Sequence, residues 1–160
     1  MKSRRIVILG NAGSGKTTLA CRLARERRLV HLDLDTIAWA AFGVRRPLSD
    51  SIRMVQAFQR AHSGWVIEGC YGRLIEAALP SCTELIFLNP GVEACVRHCR
   101  RRPWEPEKYA SPEEQHARLE TLLAWVRRYE TRQDEYGLRY HRDLFRRFEG
   151  ARQERVEALA

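Results

Sequence analysis

Hydrophobic positions along the chain alternate between short continuous apolar runs and stretches in which apolar residues recur every three or four positions. The second pattern is typical of amphipathic helices. Four apolar runs, each typical of a strand buried on both faces of a sheet, lie at residues 6–9, 29–34, 65–67 and 85–88. Alternation of strands with helices predicts an α/β fold with a parallel sheet.

Helical spacing predicts six helices between and after these runs. For the helix at residues 48–62 we expect Ser49 to be the N-cap. Residues 137–150 contain no apolar run of a fifth strand, so we expect an irregular or absent C-terminal sheet edge. The last ten residues are polar and are expected to be weakly structured. The other predicted helices begin at Thr17, span residues 74–79, follow Pro90 and Gly91, and span residues 112–128 and 138–148.

The length of 160 residues favours one domain, spanning residues 1–160, with a substantial core. Residues 100–115, "RRRPWEPEKYASPEEQ", differ from the rest because they are rich in charge and proline and have no apolar period. Such a stretch is either a linker or a mobile lid over a site. Its place between two helices of one small domain favours the lid.

A glycine-rich loop joins the first predicted strand to the first predicted helix. Its residues, "GNAGSGKT" at 10–17, fit the phosphate-loop pattern G-x-x-x-x-G-K-[ST] in the strand–loop–helix context that the pattern requires. Glycines let backbone N–H groups converge on phosphate oxygens, and the helix N-terminus favours the same anion. The residues predicted to hold the nucleoside triphosphate are Gly10, Asn11, Ala12, Gly13, Ser14, Gly15, Lys16, Thr17 and Thr18.

Two of these residues carry chemistry beyond binding. Lys16 can bridge the β- and γ-phosphates, and the Thr17 hydroxyl can bind Mg²⁺. We therefore expect ATP and Mg²⁺ as cofactors. A GTPase is disfavoured because no N-K-x-D base-recognition segment is found.

The net charge of +8 comes almost entirely from arginine, since only Lys2, Lys16 and Lys108 are lysines among 28 basic residues. This composition fits anionic ligands, and it equally fits a GC-rich genome. Nucleic-acid binding is possible but not favoured, because no basic motif is interleaved with aromatic residues. No secretory signal or membrane-length apolar stretch is found, and the five cysteines are expected as free thiols, so we expect a cytoplasmic monomer or homodimer with no membrane partner.

Carboxylates follow the second strand in "HLDLDTIAW", residues 31–39. Asp33 and Asp35 are expected to alternate along the strand end, with both carboxylates on one face. Ligands in open α/β sheets bind beyond the carboxyl ends of strands, so these groups can orient an acceptor hydroxyl and accept its proton. The alternative is that one caps a turn while the other is solvated. Trp39 is either an apolar wall of the acceptor site or an ordinary packing residue.

A second candidate group lies in "WVIEGCYGR", residues 65–73. Glu68 ends a hydrophobic strand, where an acid that binds Mg²⁺ through water would lie. The alternative is that it caps the next helix. The competing strand ends in Asn89 and offers no carboxylate, which favours the metal role for Glu68. Arg73 can hold an anionic acceptor.

In this order, the phosphate loop, "LDLDTIAW", "WVIEGCYGR" and "ELIFLNP" resemble the small P-loop kinases of the adenylate kinase and shikimate kinase type. The resemblance is closest to uncharacterised bacterial adenylate kinase-like ATPases, among them DNA topology modulation proteins. It implies a three-layer α/β/α fold with a parallel sheet of order 2-3-1-4-5, helices on both sides and a lid. It also implies that Glu68 lies beside the phosphate loop.

The resemblance further implies arginines that grip phosphate from the lid. Arg97, Arg100, Arg101 and Arg102 are the candidates on the entering side, and Arg97 and Arg101 share a helix face. On the returning side, Arg127 and Arg128 resemble a second pair that binds the substrate. A solvated run of charges is the competing interpretation for all of them.

Two functions follow from these observations. The first is an ATP-dependent kinase that transfers the γ-phosphoryl group to a nucleotide or a small hydroxylated acceptor, with Lys16, Asp35, Asp33, Arg101 and Arg97 as the catalytic set. The second is an ATP-dependent regulatory or DNA-topology-associated ATPase in which nucleotide binding is a switch. The identity of the acceptor lies beyond the sequence, because a fold does not define a substrate.

Overall fold

The computed structural model describes residues 2–158. The strands are β1 (Arg5–Gly10), β2 (Val30–Asp33), β3 (Trp65–Gly69), β4 (Glu84–Leu88) and β5 (Ala151–Arg155). The helices are α1 (Lys16–Arg27), α2 (Asp35–Ala38), α3 (Leu48–Ala61), α4 (Gly72–Ala78), α5 (Val92–Arg100), α6 (Pro112–Arg127) and α7 (Leu138–Arg147), with 3₁₀ turns at Ala41–Gly43 and Leu79–Ser81. Residues 101–111, called here the connecting segment, join α5 to α6 without a helix or strand.

The five strands form one parallel sheet in the order β2-β3-β1-β4-β5, with helices on both sides, which confirms the predicted fold class. The central strands β1, β3 and β4 are almost wholly buried, as their continuous apolar runs predict. Their side chains alternate between the two faces. Within the described residues, no helix is long and apolar enough to cross a membrane.

Each face of the sheet has its own core. On one face, Val7 and Leu9 belong to a large buried cluster that also takes side chains from α2, α3, α4 and α7. On the other face, Ile6 and Ile8 pack with Leu19 and other residues of α1. A third cluster joins α5 to α6 and reaches the phosphate-loop segment. The helices that flank the connecting segment are therefore packed together beside the loop.

The C-terminal strand corrects the expectation of a weakly structured tail and an irregular sheet edge. Residues Ala151–Arg155 pair with β4 along its whole length, from Glu84↔Ala151 to Leu88↔Arg155. Its side chains are mostly exposed, so the strand has no apolar run to detect in the sequence. It is held by backbone hydrogen bonds and by Arg142, whose guanidinium contacts both carboxylate oxygens of Glu154 at 2.8 and 3.2 Å.

Two smaller expectations also need correction. Helix α3 begins at Leu48 with Pro47 as its N-cap, so Ser49 lies inside the first turn. Helix α2 was not predicted: Asp35 begins this four-residue helix and does not continue the strand that ends at Asp33. Four residues are too few for a helical apolar period to be recognised.

His141 on α7 is fully buried and ties this helix to the segment after β3. Its Nε2 donates to the Cys70 carbonyl at 2.9 Å, and its Nδ1 accepts from the Tyr129 hydroxyl at 2.8 Å. Burial lowers the pKa of His141 to about 4, because the charged form is poorly solvated there. The ring is therefore neutral in the folded protein at neutral pH.

We predict that His141 makes folding stability fall as the pH is lowered from 7 to 5. Between its ordinary pKa of 6.5 and about 4, the unfolded chain binds a proton at this residue and the folded chain does not. The free energy of unfolding falls by about 1.4 kcal/mol for each pH unit below 6.5, which amounts to about 2 kcal/mol at pH 5. The fold raises the pKa of Asp33 to about 6, so Asp33 increases folding stability as the pH is lowered and partly offsets the effect of His141. The contribution of His141 is therefore measured as a difference between variants.

Urea unfolding at pH 7 and pH 5 tests this prediction. His141→Gln removes the titrating group, so its stability should fall about 2 kcal/mol less than that of the wild type over this interval. His116→Gln is the matched control, because His116 is exposed. Equal pH dependence in the wild type and in His141→Gln would contradict the assignment.

Candidate active site

The phosphate-loop pattern occupies the turn between β1 and α1. Gly15 is the N-cap of α1 with φ 96°, and Gly13 has φ 81°, a region that side chains other than glycine rarely adopt. A Cβ atom at Gly13 would lie 2.4 Å from the Cys95 carbonyl and 2.8 Å from Cys99 Sγ. The loop backbone therefore lies directly against α5.

Polar contacts hold the loop from both sides of the connecting segment. His98 of α5 lies with Nδ1 2.7 Å from the Gly13 carbonyl, and Asn11 donates from Nδ2 to the Val126 carbonyl of α6 at 3.2 Å. Lys16 Nζ donates to the Asn11 carbonyl at 2.6 Å. The Ser14 hydroxyl is buried without a hydrogen-bond partner among the described residues. An unpartnered donor and a lysine that binds only its own loop fit a site for an anion.

Glu68 lies beside this loop, as the strand order implies. Its strand pairs directly with β1, with Ile8 opposite Glu68. The Thr17 hydroxyl donates to Glu68 Oε1 at 2.9 Å, and His31 Nε2 lies 3.2 Å from the same oxygen. Glu68 is only 2% exposed, so the carboxylate faces the loop and is shielded from bulk water. Hydroxyl and carboxylate oxygens are donors that suit Mg²⁺.

Asp33 ends β2 and lies opposite Glu68 in the β2–β3 register. Its Oδ1 accepts a hydrogen bond from the Asp35 backbone N–H at 2.9 Å, so it holds the first residue of α2, whose N-cap is Leu34. Burial, followed by the charges of Glu68 and Asp35, raises the pKa of Asp33 to about 6. The expectation that Asp33 and Asp35 alternate along one strand is wrong, because the chain turns into α2 between them.

Asp35 takes donors on both carboxylate oxygens. The Tyr71 hydroxyl donates to Oδ1, and Lys108 Nζ lies 3.0 Å from Oδ2. Burial alone would raise the pKa of Asp35, but the positive charge of Lys108 and these hydrogen bonds outweigh it and lower the pKa. Asp35 is therefore ionised at neutral pH.

Trp39 is 44% exposed and donates from Nε1 to the Tyr71 hydroxyl at 2.9 Å, so it lies near Asp35 through one intervening residue. It also belongs to a cluster in which arginine guanidinium groups lie over aromatic rings. Arg45 lies 4.8 Å from the Tyr71 ring centroid, and Arg132 lies 4.5 Å from that of Trp125. This arginine–aromatic cluster consists of Trp39, Arg45, Tyr71, Trp125, Arg132 and Tyr136.

The arginines singled out in the sequence lie on the surface. Arg73 is directed to Glu135, with 3.7 Å between Nε and Oε2. Five of the others are exposed, and their side chains make no hydrogen bond or ion pair with any part of the chain from residue 2 to 158; these are Arg97, Arg100, Arg101, Arg127 and Arg128. Arg102 is half-buried and pairs with Glu105, with 3.9 Å between Nη1 and Oε2. The structure therefore does not bring these arginines into contact with Asp33, Asp35 or Glu68.

Sequence reasoning missed Lys108, Tyr71, Arg45 and His98. Lys108 had a signal, since it is one of three lysines in a chain that otherwise uses arginine. Tyr71 lies inside the segment that carries Glu68, but a tyrosine there has many packing explanations. Arg45 and His98 act through contacts with distant segments, and no local spacing reports such contacts.

The sequence and the fold were compared with those of known proteins. The profile of the AAA domain family, AAA_33, matches residues 6–137, and the chain belongs to this family. No curated protein matches the sequence significantly.

Two solved structures share the fold. A sugar kinase from Janibacter sp. HTCC2649 superposes with a TM-score of 0.54 at 16% identity, over 96% of this chain and 84% of that one. A gluconokinase from Sinorhizobium meliloti 1021 superposes with a TM-score of 0.50, also at 16% identity, over 96% of this chain and 83% of that one. At this identity the similarity establishes the fold of small P-loop kinases.

Alanine at Gly13 should disturb both the fold and the loop. Gly13→Ala is destabilised by the positive φ and by the clash of its Cβ with the Cys95 carbonyl. Gly43→Ala is destabilised only by its positive φ of 70°, because the space around its Cβ is open. We expect Gly13→Ala to be less stable than Gly43→Ala by about 1–3 kcal/mol, the usual cost of overpacking. Urea unfolding measures the difference, and equal stabilities would show that α5 does not confine the loop.

Proposed function

We propose that this protein is an ATP-dependent kinase that transfers the γ-phosphoryl group to a nucleotide or a small hydroxylated acceptor. The observation that carries the proposal is the meeting of three groups at the carboxyl edge of the sheet. Lys16 and Thr17 lie on the phosphate loop, Glu68 contacts Thr17, and Asp33 faces Glu68 across the strand pair. Asp35 follows on α2. Fold similarity to sugar kinase and gluconokinase structures supports this class.

In the proposed nucleotide site, backbone N–H groups of residues 10–18 bind the phosphates of ATP. Lys16 exchanges its bond to the Asn11 carbonyl for β- and γ-phosphate oxygens, and Ser14 gains the partner that it lacks. The cation then stabilises charge that develops on the γ-phosphoryl oxygens. Residues 13 and 15 keep the backbone close enough for these contacts.

Thr17 and Glu68 are proposed to hold Mg²⁺, Thr17 directly and Glu68 through water. The fit rests on their oxygen donors, 2.9 Å apart at the mouth of the loop. Bound there, Mg²⁺ would neutralise phosphate charge. His31 lies against the same carboxylate and orients it.

On the acceptor side, Asp35 is proposed to orient the acceptor hydroxyl and to accept its proton. Its lowered pKa keeps Asp35 ionised at neutral pH, so its carboxylate can accept a hydrogen bond from the acceptor hydroxyl and orient it. Asp33 binds the backbone N–H of Asp35, the first residue of α2, and so fixes where Asp35 lies. Trp39 is proposed as an apolar wall of this site, and Arg73 as a binder of anionic acceptors.

We propose that residues 100–115 form a lid that excludes water during transfer. Arg97 and Arg101 would stabilise phosphate charge from the entering side of the lid, and Arg127 and Arg128 would bind substrate on the returning side. Their exposure and lack of polar side-chain partners within the described chain leave these guanidinium groups available.

A regulatory ATPase that binds nucleic acid is the second candidate. It is favoured by a surface cavity of about 470 Å³ beside α7 whose lining is rich in arginine; the lining residues are Gln133, Arg139, Tyr140, Arg142, Asp143 and Arg146. Such a protein would bind DNA with a steep salt dependence that ATP alters, and it would consume no small acceptor.

The kinase proposal predicts loss of nucleotide function in Lys16→Ala. Calorimetry with MgATP should detect binding to the wild type and at least about 100-fold weaker binding or turnover in Lys16→Ala, because a cation on the phosphates is removed. Lys2→Ala is the matched control, since Lys2 is exposed. No affinity of the wild type for ATP or GTP at millimolar concentration would overturn both candidate functions.

The acceptor can be found by thermal shift in the presence of a nonhydrolysable ATP analogue, because a bound acceptor stabilises the fold. Nucleotides, nucleosides, sugars and small acids are the probes. ADP formation that the identified acceptor stimulates should fall about 100-fold or more in Asp35→Ala, which loses the proton acceptor. Unchanged stimulated turnover in this variant would remove Asp35 from the mechanism.

Glu68→Gln should raise the Mg²⁺ concentration that gives half-maximal ADP formation by about tenfold, the lower end of the usual effect of losing an outer-shell group. Titration of Mg²⁺ at fixed ATP measures this change. Glu84→Gln is the control, since Glu84 lies at the opposite end of the sheet. An unchanged Mg²⁺ requirement would show that Glu68 only positions Thr17.

A further inference from the structure

The connecting segment reaches from the α5–α6 side of the molecule to α2. Lys108, near its end, lies with Nζ 3.0 Å from Asp35 Oδ2 and 3.2 Å from Glu105 Oε1. Its side chain is only 29% exposed, so the ammonium group is partly withdrawn from water. Among the polar contacts described for residues 2–158, this ion pair is the one that joins the connecting segment to α2.

The connecting segment has an internal framework that presents Lys108. Glu105 donates its backbone N–H to Gln115 Oε1 at 2.8 Å, and Gln115 donates to the Pro103 carbonyl at 3.0 Å. The backbone N–H groups of Lys108 and Tyr109 both donate to the Glu105 carbonyl at 3.0 Å. Lys108 therefore projects from a short turn that is braced against the start of α6.

The two helices that flank the connecting segment both contact the phosphate loop. Helix α5, which precedes the segment, holds Gly13 through His98, and α6, which follows it, holds Asn11 through the Val126 carbonyl. His98 lies three residues before the segment, whereas Val126 lies near the far end of α6, so the flanking helices and not the segment itself contact the phosphate loop. Breaking the contact between Lys108 and Asp35 leaves these helix contacts in place.

Electrostatics favour this contact in the ligand-free protein. Burial opposes the charged form of Lys108, but Asp35 and Glu105 outweigh it and raise the pKa of Lys108. The same pair lowers the pKa of Asp35. Lys108 and Tyr71 together bind both oxygens of the carboxylate, so water meets a carboxylate that is already neutralised and hydrogen-bonded.

We propose that Lys108 is a positioning residue that latches the connecting segment onto Asp35 and keeps water from taking the acceptor's place. This inference rests on the proposed function at one point, the placement of Asp35 beside the acceptor. An acceptor hydroxyl competes with the ammonium group for Oδ2, so only a ligand that binds the site well displaces Lys108 from Asp35, and the segment continues to cover the site during transfer. The contact makes the acceptor site selective against water.

The side reaction that the latch suppresses is hydrolysis of ATP. In it a water oxygen bonds to the γ-phosphorus, the bond from phosphorus to the β,γ-bridging oxygen breaks, ADP leaves, and Asp35 accepts a proton from the attacking water. Freeing Asp35 from Lys108 supplies the carboxylate oxygen that this water needs. Loss of Lys108 should therefore increase hydrolysis only while Asp35 is present.

Hydrogen–deuterium exchange of the ligand-free protein tests the latch without any assumption about activity. Lys108→Met and Asp35→Asn should each speed exchange of the amides at residues 105–110 by about fivefold, which corresponds to loss of one partly exposed ion pair. Lys108→Met combined with Asp35→Asn should exchange no faster than either single variant. Lys108→Arg should retain protection, and Glu107→Gln, an exposed neighbour, is the control.

ATP hydrolysis without acceptor tests the guarding role. Lys108→Met should hydrolyse MgATP up to about fivefold faster than the wild type, in proportion to the opening of the segment. Lys108→Arg should restore the low rate, and adding Asp35→Asn to Lys108→Met should abolish the increase. A purely structural lysine would not show this dependence on Asp35.

Each outcome decides a separate statement. Unchanged exchange in Lys108→Met overturns the latch, and faster exchange without faster hydrolysis overturns its guarding role while the kinase proposal stands. Hydrolysis that Lys108→Met raises equally with Asp35 or Asn at position 35 also overturns the guarding role. Failure of the proposed function is seen elsewhere, as absence of ATP binding by the wild type.

Discussion

The parallel pairing of β3 with both β1 and β2 is the constraint on which the site depends. It places Glu68 opposite Ile8 on one side and opposite Asp33 on the other, so two carboxylates and the phosphate loop share one edge of the sheet. Burial, followed by the charges of Glu68 and Asp35, raises the pKa of Asp33 at this edge. Hydrogen-bond donors and a cation are held close to these carboxylates: Thr17 at Glu68, and Tyr71 and Lys108 at Asp35.

Two lysines supply positive charge at this edge of the sheet, and they come from different parts of the chain. Lys16 belongs to the phosphate loop and lies on the first turn of α1, where backbone geometry fixes it. Lys108 arrives from the connecting segment, whose own turn fixes it. The first lysine is set by local sequence and the second by a contact across 73 positions, from 108 back to 35. The phosphate loop and the distant connecting segment therefore each contribute a lysine to the carboxyl edge of the sheet.

The difference between local signals and contacts between distant segments explains which features the sequence could predict. The central strands and the phosphate loop were predictable because buried apolar runs and glycine spacing are local signals. β5 escaped detection because an exposed edge strand needs only backbone pairing with β4. α2 was too short to show a period, and its presence separated Asp33 from Asp35. The contacts of Lys108, Tyr71 and His98 depend on segments far apart in the chain, and residue spacing carries no information about them.

The polar character of β5 has a consequence for the molecule as a whole. The outer edge of this strand leaves backbone groups unpaired, and such an edge can template the addition of a strand from another chain. Here the strand is only five residues long and carries Arg152, Glu154 and Arg155, while β2 at the opposite edge is only four residues long. A short strand that carries charged side chains resists such addition, so the feature that hid β5 from hydrophobic analysis also disfavours the pairing of another chain at this edge.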